Sequence, residues 1–273
     1  MRTTFELRGR VALITGAASG IGAALSLALA GKGCALALVD RDARGLATTA
    51  RAAAAQGVAV SEHVLDLADA QAIAALPGAI QARHGGLHVL VNNAGVALGG
   101  RFEAVDLADV EWLMDVNLRA VLRMTHAFLA MLKAQDAAQI VNLSSVYGIV
   151  APAGNAPYCA SKFAVRGFTE ALRHEYEGSP LGVTLVHPGG VATAIARNAR
   201  PPRGGDPRLI AQGVAAMEKL LTLTPEEAAR QIVTGIERRA PRVLIGRDAR
   251  RAVLIQRLMP VRYWSLIRRA FES

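Results

Sequence analysis

Residues 10–30, RVALITGAASGIGAALSLALA, constrain the fold more than any other segment of the chain. A short β-branched strand runs into a glycine-rich turn, and a helix rich in alanine and leucine follows. A site for the phosphates of a dinucleotide requires this order of strand, turn and helix. We expect Gly16 to permit the tight turn, Gly20 to let the backbone approach a pyrophosphate, and Gly22 to let the helix pack closely on the sheet.

Strand and helix signals alternate along the rest of the chain, which predicts an α/β fold: a Rossmann-type, doubly wound parallel sheet with helices on both faces. Strands are predicted at 10–15, 35–39, 58–64, 87–91, 138–143, 182–186 and 242–246. Helices are predicted at 42–56, 69–84, 109–134 and 157–177. The proline- and glycine-rich stretch 198–208 is predicted to be a loop, because these residues cannot extend a helix or a central strand.

Ser145, Tyr158 and Lys162 form the group of residues that says most about chemistry. A lysine four residues after a tyrosine places its ammonium one helical turn from the phenol, on the same helix face. A buried cation there would make the phenol easier to ionise. Lowering a tyrosine pKa from about 10 to about 7 takes roughly 4 kcal/mol of differential stabilisation. Such a tyrosine could move protons at neutral pH.

The glycine spacing TGxxxGxG, together with NNAG at 92–95 and YCASK at 158–162, resembles the classical short-chain dehydrogenase/reductase (SDR) family. The resemblance covers about residues 12–246, with the motifs in the family's order and at its usual separations. It implies an oxidoreductase that transfers a hydride between a nicotinamide cofactor and a secondary alcohol or ketone. Tyr158 would be the general acid/base, and Lys162 would lower its pKa and hold the nicotinamide ribose. The separation from Tyr158 matches the family pattern for Ser145 rather than Ser144, so Ser145 would hydrogen-bond the reacting oxygen.

The resemblance also implies a set of residues around the cofactor. These are Gly16, Ser19, Gly20, Ile21, Gly22, Asp40, Arg41, Asp66, Leu67, Asn93, Ala94, Gly95, Tyr158, Lys162, Pro188, Gly189, Val191 and Thr193. The Val191 amide and the Thr193 hydroxyl would hold the carboxamide, and Asp66 the adenine. Asn117 would complete the catalytic group by distorting its helix and holding a water. Purely structural roles remain possible for two of these residues. Asp66 could cap a helix, and the Asn117 side chain could face solvent.

Asp40 decides the expected cofactor. It ends the second strand about 20 residues after the glycine turn, where a carboxylate accepts hydrogen bonds from the adenosine ribose hydroxyls and repels a 2′-phosphate. Arg41 could pair with that phosphate, but Ser19 is not the basic residue often found in NADP-preferring relatives. We therefore favour NAD over NADP. The alternative for Asp40 is an N-cap for the helix that begins near Ala43.

Composition limits the remaining possibilities. The chain has two cysteines, Cys34 and Cys159, which is too few for a disulfide framework, although Cys159 beside the tyrosine could be alkylated. No apolar stretch is long enough for a membrane span, and the N-terminus lacks the apolar core of a signal peptide. We expect a cytoplasmic protein, a homodimer or homotetramer. The sequence shows no metal-ligand spacing, so no metal is expected.

The net charge of +9 is concentrated at the C-terminus, where residues 238–273 carry ten arginines and two acidic residues. No aromatic platform or nucleic-acid-binding module accompanies them, so no nucleic-acid partner is expected. We expect a catalytic domain at 1–247 and a basic amphipathic extension at 248–273, which Pro260 breaks into two helical pieces. The extension could cover the substrate site, contact another subunit, or make peripheral contact with a membrane.

The substrate site should be built by residues 94–101, 146–155 and a substrate loop at about 193–222. Apolar residues in these segments favour a hydrophobic alcohol or ketone as the small-molecule partner. They are Val96, Leu98, Val146, Ile149, Val150, Ile195, Leu209, Ile210 and Met217. Two other functions remain open: an NADPH-dependent carbonyl reductase, and a non-catalytic dinucleotide sensor on the same fold.

Overall fold

A computed structural model describes residues 4–268 and contains a seven-stranded parallel sheet. The strands are β1 Val11–Thr15, β2 Ala35–Asp40, β3 Val60–Val64, β4 Val89–Asn92, β5 Ala138–Leu143, β6 Leu181–Pro188 and β7 Arg242–Ile245. Their order across the sheet is β3-β2-β1-β4-β5-β6-β7, and every neighbouring pair is parallel. The predicted fold class is confirmed, and each predicted strand lies within two residues of the observed one.

Helices cover both faces of this sheet. They are α1 Gly20–Ala30, α2 Ala43–Ala54, α3 Ala70–His84, α4 Leu107–Met114, α5 Ala120–Lys133, α6 Ala156–Glu175, α7 Pro207–Leu220, α8 Pro225–Glu237, α9 Arg247–Leu258 and α10 Tyr263–Ile267. One hydrophobic core joins the sheet to α1, α2 and α8, and a second joins it to α3, α5 and α6. The predicted helices at 42–56, 69–84 and 157–177 correspond to α2, α3 and α6.

Strand β1 shows why the strands read as continuous apolar runs. Its Ala12 and Ile14 side chains belong to one core, and its Val11 and Leu13 side chains belong to the other. Successive strand residues point to opposite faces, and both faces are buried under helices. The positions from Val11 to Ile14 are therefore all apolar.

The predicted helix at 109–134 is wrong in detail. The structure divides this segment into α4, a π-helical turn at Asp115–Arg119, and α5. The extra residue in the wider turn accompanies the inward placement of Asn117, whose side chain bonds the backbone of Val96 instead of facing solvent. Such π-turns are common at functional sites.

The substrate loop expected at 193–222 is only partly a loop, because it contains α7, Pro207–Leu220. The predicted loop at 198–208 also extends two residues too far. Pro207 occupies the first turn of α7, where its missing N–H costs nothing, and Asp206 caps the helix by accepting a hydrogen bond from Arg208 N at 2.8 Å.

The C-terminal segment forms α9 and α10, and Pro260 lies between them as predicted. The last part of the proposed extension, residues 269–273, lies outside the described residues. Within the described part of the chain, no helix combines the length and the apolar character that crossing a membrane requires.

Two glycine substitutions test the close packing of α1 on the sheet. A Cβ at Gly22 would lie 1.9 Å from the Gly16 carbonyl oxygen, whereas a Cβ at Gly78 in α3 would have no neighbour within 4 Å. We expect Gly22→Ala to lower the free energy of unfolding by about 3 kcal/mol through overpacking. Gly78→Ala should raise it by about 0.5–1 kcal/mol, because alanine restricts the unfolded chain and favours the helix. Urea unfolding measures both, and similar effects at the two positions would contradict the close approach.

Candidate active site

The carboxyl ends of the strands meet at one edge of the sheet, and the sequence motifs gather there. The strand order reverses between β1 and β4, and ligands of doubly wound sheets bind in the crevice at such a point. The glycine turn follows β1, the 92–95 turn follows β4, and Ser145 follows β5.

The glycine turn contacts two other segments of this edge. Gly16 and Gly20 have φ of +68° and +54°, a left-handed region that favours glycine. A Cβ on Gly16 would lie 2.9 Å from Ala94 Cα, and one on Gly20 would lie 3.0 Å from Thr193 Cγ2. The turns after β1, β4 and β6 contain residues that we expect to contact a cofactor. In the structure these turns contact one another.

The N-terminus of α1 opens into this crevice. The first backbone bond of the helix runs from Ala23 N to Ser19 O, so the N–H groups of Gly20, Ile21 and Gly22 have no partner within the helix. The Ser19 side chain makes no capping bond to them. Such N–H groups, with the helix dipole, attract a phosphate. Together with the room left by the glycines, they fit the pyrophosphate of a dinucleotide.

Thr15 is a residue that the sequence analysis missed. Its hydroxyl accepts hydrogen bonds from Asn93 N at 3.0 Å and Ala94 N at 3.1 Å, and Asn93 Nδ2 donates to Thr15 O at 2.8 Å. These bonds join the end of β1 to the turn after β4. A buried threonine at a strand end carries no distinctive sequence signal, since β-branched residues are common throughout strands.

Asp40 is held at the end of β2 by two backbone amides. Its Oδ2 accepts a hydrogen bond from Ala18 N at 2.9 Å, and its Oδ1 accepts one from Asp42 N at 3.0 Å. Asp42, not Asp40, caps α2, because Asp42 accepts from Arg44 N and Gly45 N. The capping alternative for Asp40 is therefore wrong, and its carboxylate faces the segment that begins the glycine turn. Arg41 beside it is exposed.

Asp66 and Leu67 follow β3. Asp66 is exposed and accepts a hydrogen bond from Ala68 N at 2.9 Å, while Asp69 caps α3. The capping alternative for Asp66 is therefore also wrong. The Leu67 side chain is buried in the core beneath α3, which leaves only its backbone available to a ligand. Contact of these two residues with a cofactor stays a prediction.

Ser145, Tyr158 and Lys162 come together between β5 and α6. Lys162 is 3% exposed, its Nζ lies 5.7 Å from the centroid of the Tyr158 ring, and it donates to Leu143 O at 3.1 Å. Tyr158 is partly exposed, and Ser145 hydrogen-bonds its hydroxyl. The Tyr147 ring packs edge-on against the Tyr158 ring, with centroids 6.0 Å apart. The three predicted residues thus form one cluster at the crevice.

The pKa values of this cluster differ from the sequence expectation. Burial raises the pKa of Tyr158 to about 12, although its hydrogen bond with Ser145 acts in the opposite direction. Burial also lowers the pKa of Lys162 to about 8. The expected fall of the phenol pKa to about 7 is therefore wrong for the polypeptide itself, because removal from water disfavours the charged form of both groups.

Asn117 lies at the π-turn and is fully buried. Its Oδ1 accepts from Val96 N at 2.8 Å, and its Nδ2 donates to Val96 O at 2.9 Å and to Ser161 Oγ at 3.2 Å. A Cβ on Gly95 would lie 3.3 Å from Lys162 Nζ and 3.4 Å from Asn117 Oδ1. The solvent-facing alternative for Asn117 is wrong. The side chain instead positions the 92–96 segment beside the lysine.

Ser144 and His187 hydrogen-bond the backbone of the catalytic cluster. Ser144 Oγ donates to Lys162 O at 2.8 Å, which confirms its predicted role as a strand-end hydrogen-bonding residue. His187 is fully buried, and its Nδ1 donates to Ser145 O at 2.8 Å. Burial lowers the pKa of His187 to about 4, so the ring is neutral at pH 7. His187 is a packed strand-end residue, as predicted, and it positions Ser145.

The turn after β6 brings Pro188, Gly189, Val191 and Thr193 to the same edge. Val191 N donates to Gly189 O at 3.0 Å, so this amide, expected to hold a carboxamide, is engaged within its own turn. Gly190 N donates to a carboxylate oxygen of Asp248 in α9 at 2.6 Å. Asp248 is a second residue that the sequence analysis missed, because no motif in the C-terminal segment distinguishes it.

Only some of the apolar residues expected to line the substrate site are buried. Leu98, Ile149 and Val150 are buried, whereas Leu209 on α7 is 66% exposed, and its place in the lining stays a prediction. A second contact from the C-terminal segment reaches this side: Tyr263 Oη accepts a hydrogen bond from Ala151 N at 3.0 Å. Tyr263 was not predicted as a site residue either.

Neither a metal site nor a reactive thiol accompanies the cluster. Residues 4–268 contain no group of three or more His, Cys, Asp or Glu side chains placed to hold a metal ion. Cys34 and Cys159 are both unpaired and buried. Burial raises the pKa of Cys159 to about 11, so its thiol is protonated at neutral pH, and the alkylation considered from the sequence is disfavoured.

Comparison with known proteins agrees with this geometry. A family model described as short chain dehydrogenase matches residues 10–204. SadH of Mycobacterium tuberculosis, named as an oxidoreductase, is 43% identical over 268 residues, which cover 97% of this chain and 95% of that protein. A short chain dehydrogenase/reductase of Burkholderia phymatum, solved in complex with NAD, has a TM-score of 0.86 and 31% identity, covering 93% of this chain and 95% of that one. An alcohol dehydrogenase of Thermococcus sibiricus, complexed with 5-hydroxy-NADP, has a TM-score of 0.74 and 27% identity, covering 86% and 95%.

The bonds between Asn117 and Val96 can be tested by stability. Asn117→Ala removes the partners of the Val96 N–H and C=O groups, and we expect it to lower the free energy of unfolding by about 1–3 kcal/mol. Asn198→Ala, in an exposed turn, should change it by less than about 0.5 kcal/mol. Urea denaturation of both variants gives the comparison. Equal stability of the two variants would contradict the buried pairing.

Proposed function

The chain belongs to the short-chain dehydrogenase family, and from this we propose that it transfers a hydride between NAD and a hydrophobic secondary alcohol or its ketone. Membership makes the protein an NAD(P)-dependent oxidoreductase that acts on CH–OH groups. The convergence of Ser145, Tyr158 and Lys162 beside the turn at 92–95 is the observation that carries the proposal. When bound, the nicotinamide supplies the carbon that accepts or gives the hydride.

Tyr158 is the proposed general acid/base. Because burial raises its pKa to about 12, the phenol is protonated at neutral pH, the state that can donate a proton to the oxygen of a ketone. In the oxidation direction the base is the ionised phenolate, the form that the Lys162 ammonium favours, and its oxygen receives the proton of the alcohol. Ser145, already hydrogen-bonded to the phenol, is placed to hydrogen-bond the same substrate oxygen and to stabilise the charge that develops on it.

Lys162 has two proposed roles. Its ammonium, 5.7 Å from the Tyr158 ring, favours the ionised phenol, and its remaining hydrogen-bond donors can hold ribose hydroxyls. Its own pKa, lowered to about 8 by burial, leaves it mostly charged at pH 7. Asn117, through Gly95 and Val96, positions the backbone that lies against this lysine.

The preference for NAD is supported by Asp40. Two backbone amides orient its carboxylate at the end of β2, where it can accept hydrogen bonds from ribose hydroxyls and repel a 2′-phosphate. The NADPH-dependent carbonyl reductase is the second candidate. The exposed Arg41 next to Asp40 favours it, since its guanidinium is free to approach a phosphate from solvent.

We further propose that the protein is a cytoplasmic homodimer or homotetramer. Leu122 on α5 and Phe163 on α6 are large apolar side chains that are 36% and 39% exposed, which supports contact with another subunit. The unpaired Cys34 and Cys159 agree with a reducing compartment.

Tyr158→Phe tests the proposed acid/base. The variant keeps the ring but loses the hydroxyl, so kcat should fall by about 10²–10⁴-fold, while NADH binding followed by nicotinamide fluorescence should remain close to that of the parent protein. Tyr176→Phe, at the far end of α6, is the matched control and should retain activity. A Tyr158→Phe enzyme with most of its activity would refute the assignment.

Asp40→Ala tests the proposed cofactor preference. Removing the carboxylate should reduce the ratio of NADH to NADPH affinity by about tenfold or more, since one ribose contact is lost and the repulsion of the 2′-phosphate disappears. Asp42→Ala removes a carboxylate two residues away, which caps α2, and should leave the ratio unchanged. Fluorescence titration with both reduced cofactors measures it. An unchanged ratio of NADH to NADPH affinity in Asp40→Ala would contradict the role proposed for Asp40.

A further inference from the structure

The C-terminal segment, residues 247–268, has an unusually basic surface. It carries six arginines, every one exposed, and a single acidic residue, Asp248. The Asp248 carboxylate is already bonded to Gly190 N in the body of the protein. The arginines are Arg247, Arg250, Arg251, Arg257, Arg262 and Arg268. Five positive charges therefore remain in excess on a stretch of two short helices.

The same segment exposes large apolar side chains. Leu254, Leu258, Val261 and Leu266 are 58%, 71%, 88% and 54% exposed. They make up four of the eleven large apolar side chains exposed in the described part of the chain, although they span only thirteen residues. Single exposed leucines are ordinary, but a local concentration of this kind marks an interaction surface.

Helix α9 arranges the two residue types on one side. Leu254 and Leu258, four residues apart, share a face, while the opposite side of the helix buries Ala249. Arg250, Arg251 and Arg257 flank the two leucines, because their positions lie within about 40–80° of the mean direction of the leucines at 100° per residue. The outer face of α9 therefore alternates leucine with arginine.

Arg250 also connects this face to a second basic surface. With Arg230, Arg238 and Arg242 it lines a groove of about 580 Å³ between α8, β7 and α9. Glu227 is the only acidic residue among the described side chains of the lining. Arg242 Nε is buried there and has no hydrogen-bond partner among residues 4–268. The groove offers further guanidinium donors to an anionic group next to the segment.

We propose that the outer face of residues 247–268 binds the surface of an anionic lipid bilayer. Leucines can enter the boundary between headgroups and acyl chains, while arginine stems lie along the apolar surface and their guanidinium groups reach lipid phosphates. A second copy of the segment is a poor partner, because it would bring six more arginines against these six. A nucleic acid would leave the exposed leucines without a role.

The binding would also orient the protein. Asp248 ties α9 to the turn after β6, and Tyr263 in α10 accepts a hydrogen bond from Ala151, which follows the Ser145 segment. A bilayer that holds residues 247–268 therefore lies next to the loops on the proposed substrate side. The functional meaning of this orientation rests on the proposed function, whereas the binding itself does not.

The test is co-sedimentation of the full chain with vesicles, measured without substrate. Vesicles of phosphatidylcholine mixed with phosphatidylglycerol should bind the protein, vesicles of phosphatidylcholine alone should bind it much more weakly, and added salt should reduce the binding. The triple variant Arg250→Gln, Arg251→Gln, Arg257→Gln should bind the anionic vesicles roughly 100-fold less tightly, from the usual contribution of an arginine near a charged bilayer.

Matched control variants distinguish the effect of this surface on vesicle binding from the effects of net charge and of any exposed apolar side chain. Arg8→Gln, Arg51→Gln, Arg83→Gln makes the same change in charge at exposed positions elsewhere and should shift the affinity by less than about threefold. Leu254→Ser should weaken binding by about tenfold, whereas Val64→Ser, with a matching 57% exposure at the opposite edge of the sheet, should not.

Thermal unfolding and NADH titration establish that each variant is folded. Equal binding to neutral and anionic vesicles would overturn the proposal, as would equal losses in the two triple variants. Loss of self-association or of DNA binding, with vesicle binding unchanged, would also overturn it and assign the surface to a second copy or to a nucleic acid. A failed dehydrogenase assay would leave all these readings intact, because none of them depends on turnover.

Discussion

The junction between β1 and β4 holds the rest of the site in place. Thr15 Oγ1 donates to Val91 O at 3.3 Å and accepts from the amides of Asn93 and Ala94, while Asn93 Nδ2 returns a bond to Thr15 O. These bonds fix two turns that are nearly eighty residues apart in sequence. Gly16 in one turn touches the other turn so closely that a side chain has no room. The phosphate end and the lysine end of the crevice are therefore parts of one rigid unit.

The sequence predicts the features that depend on local pattern. Strands β1 and β2 begin with apolar runs because both faces of the sheet are buried there, and glycine marks the turn where the backbone must pass close to its neighbour. The π-turn at Asn117 is set by a distant partner, the backbone of Val96, which no periodicity reveals. Helix α7 was missed for a different reason. Proline is common both after the end of a helix and in the first turn of a helix. Here the Asp206 cap shows that Pro207 begins α7.

Burial has opposite consequences for the position and for the charge of the catalytic cluster. It fixes Lys162 and Tyr158 on successive turns of α6, but it also removes both from water, which raises the pKa of the phenol and lowers that of the ammonium. Among the described residues the ammonium donates a hydrogen bond to Leu143 O, a carbonyl oxygen that carries no full charge. Proximity of a lysine is therefore insufficient to create a tyrosine that ionises near pH 7.

The C-terminal segment contacts the same site, and its amino-acid composition does not reveal these contacts. Its arginines mark it as different from the rest of the chain, yet its contacts join it to the turn after β6. A Cβ on Gly189 would lie 2.2 Å from the Asp248 carboxylate, and one on Gly190 would lie 2.1 Å from Leu220 O. The two glycines thus admit a side chain from α9 and the end of α7. The bond from Gly190 N to Asp248 joins α9 to the turn that leads to Val191 and Thr193. The outer face of α9 therefore belongs to a helix that is bonded to the crevice through the Asp248 carboxylate.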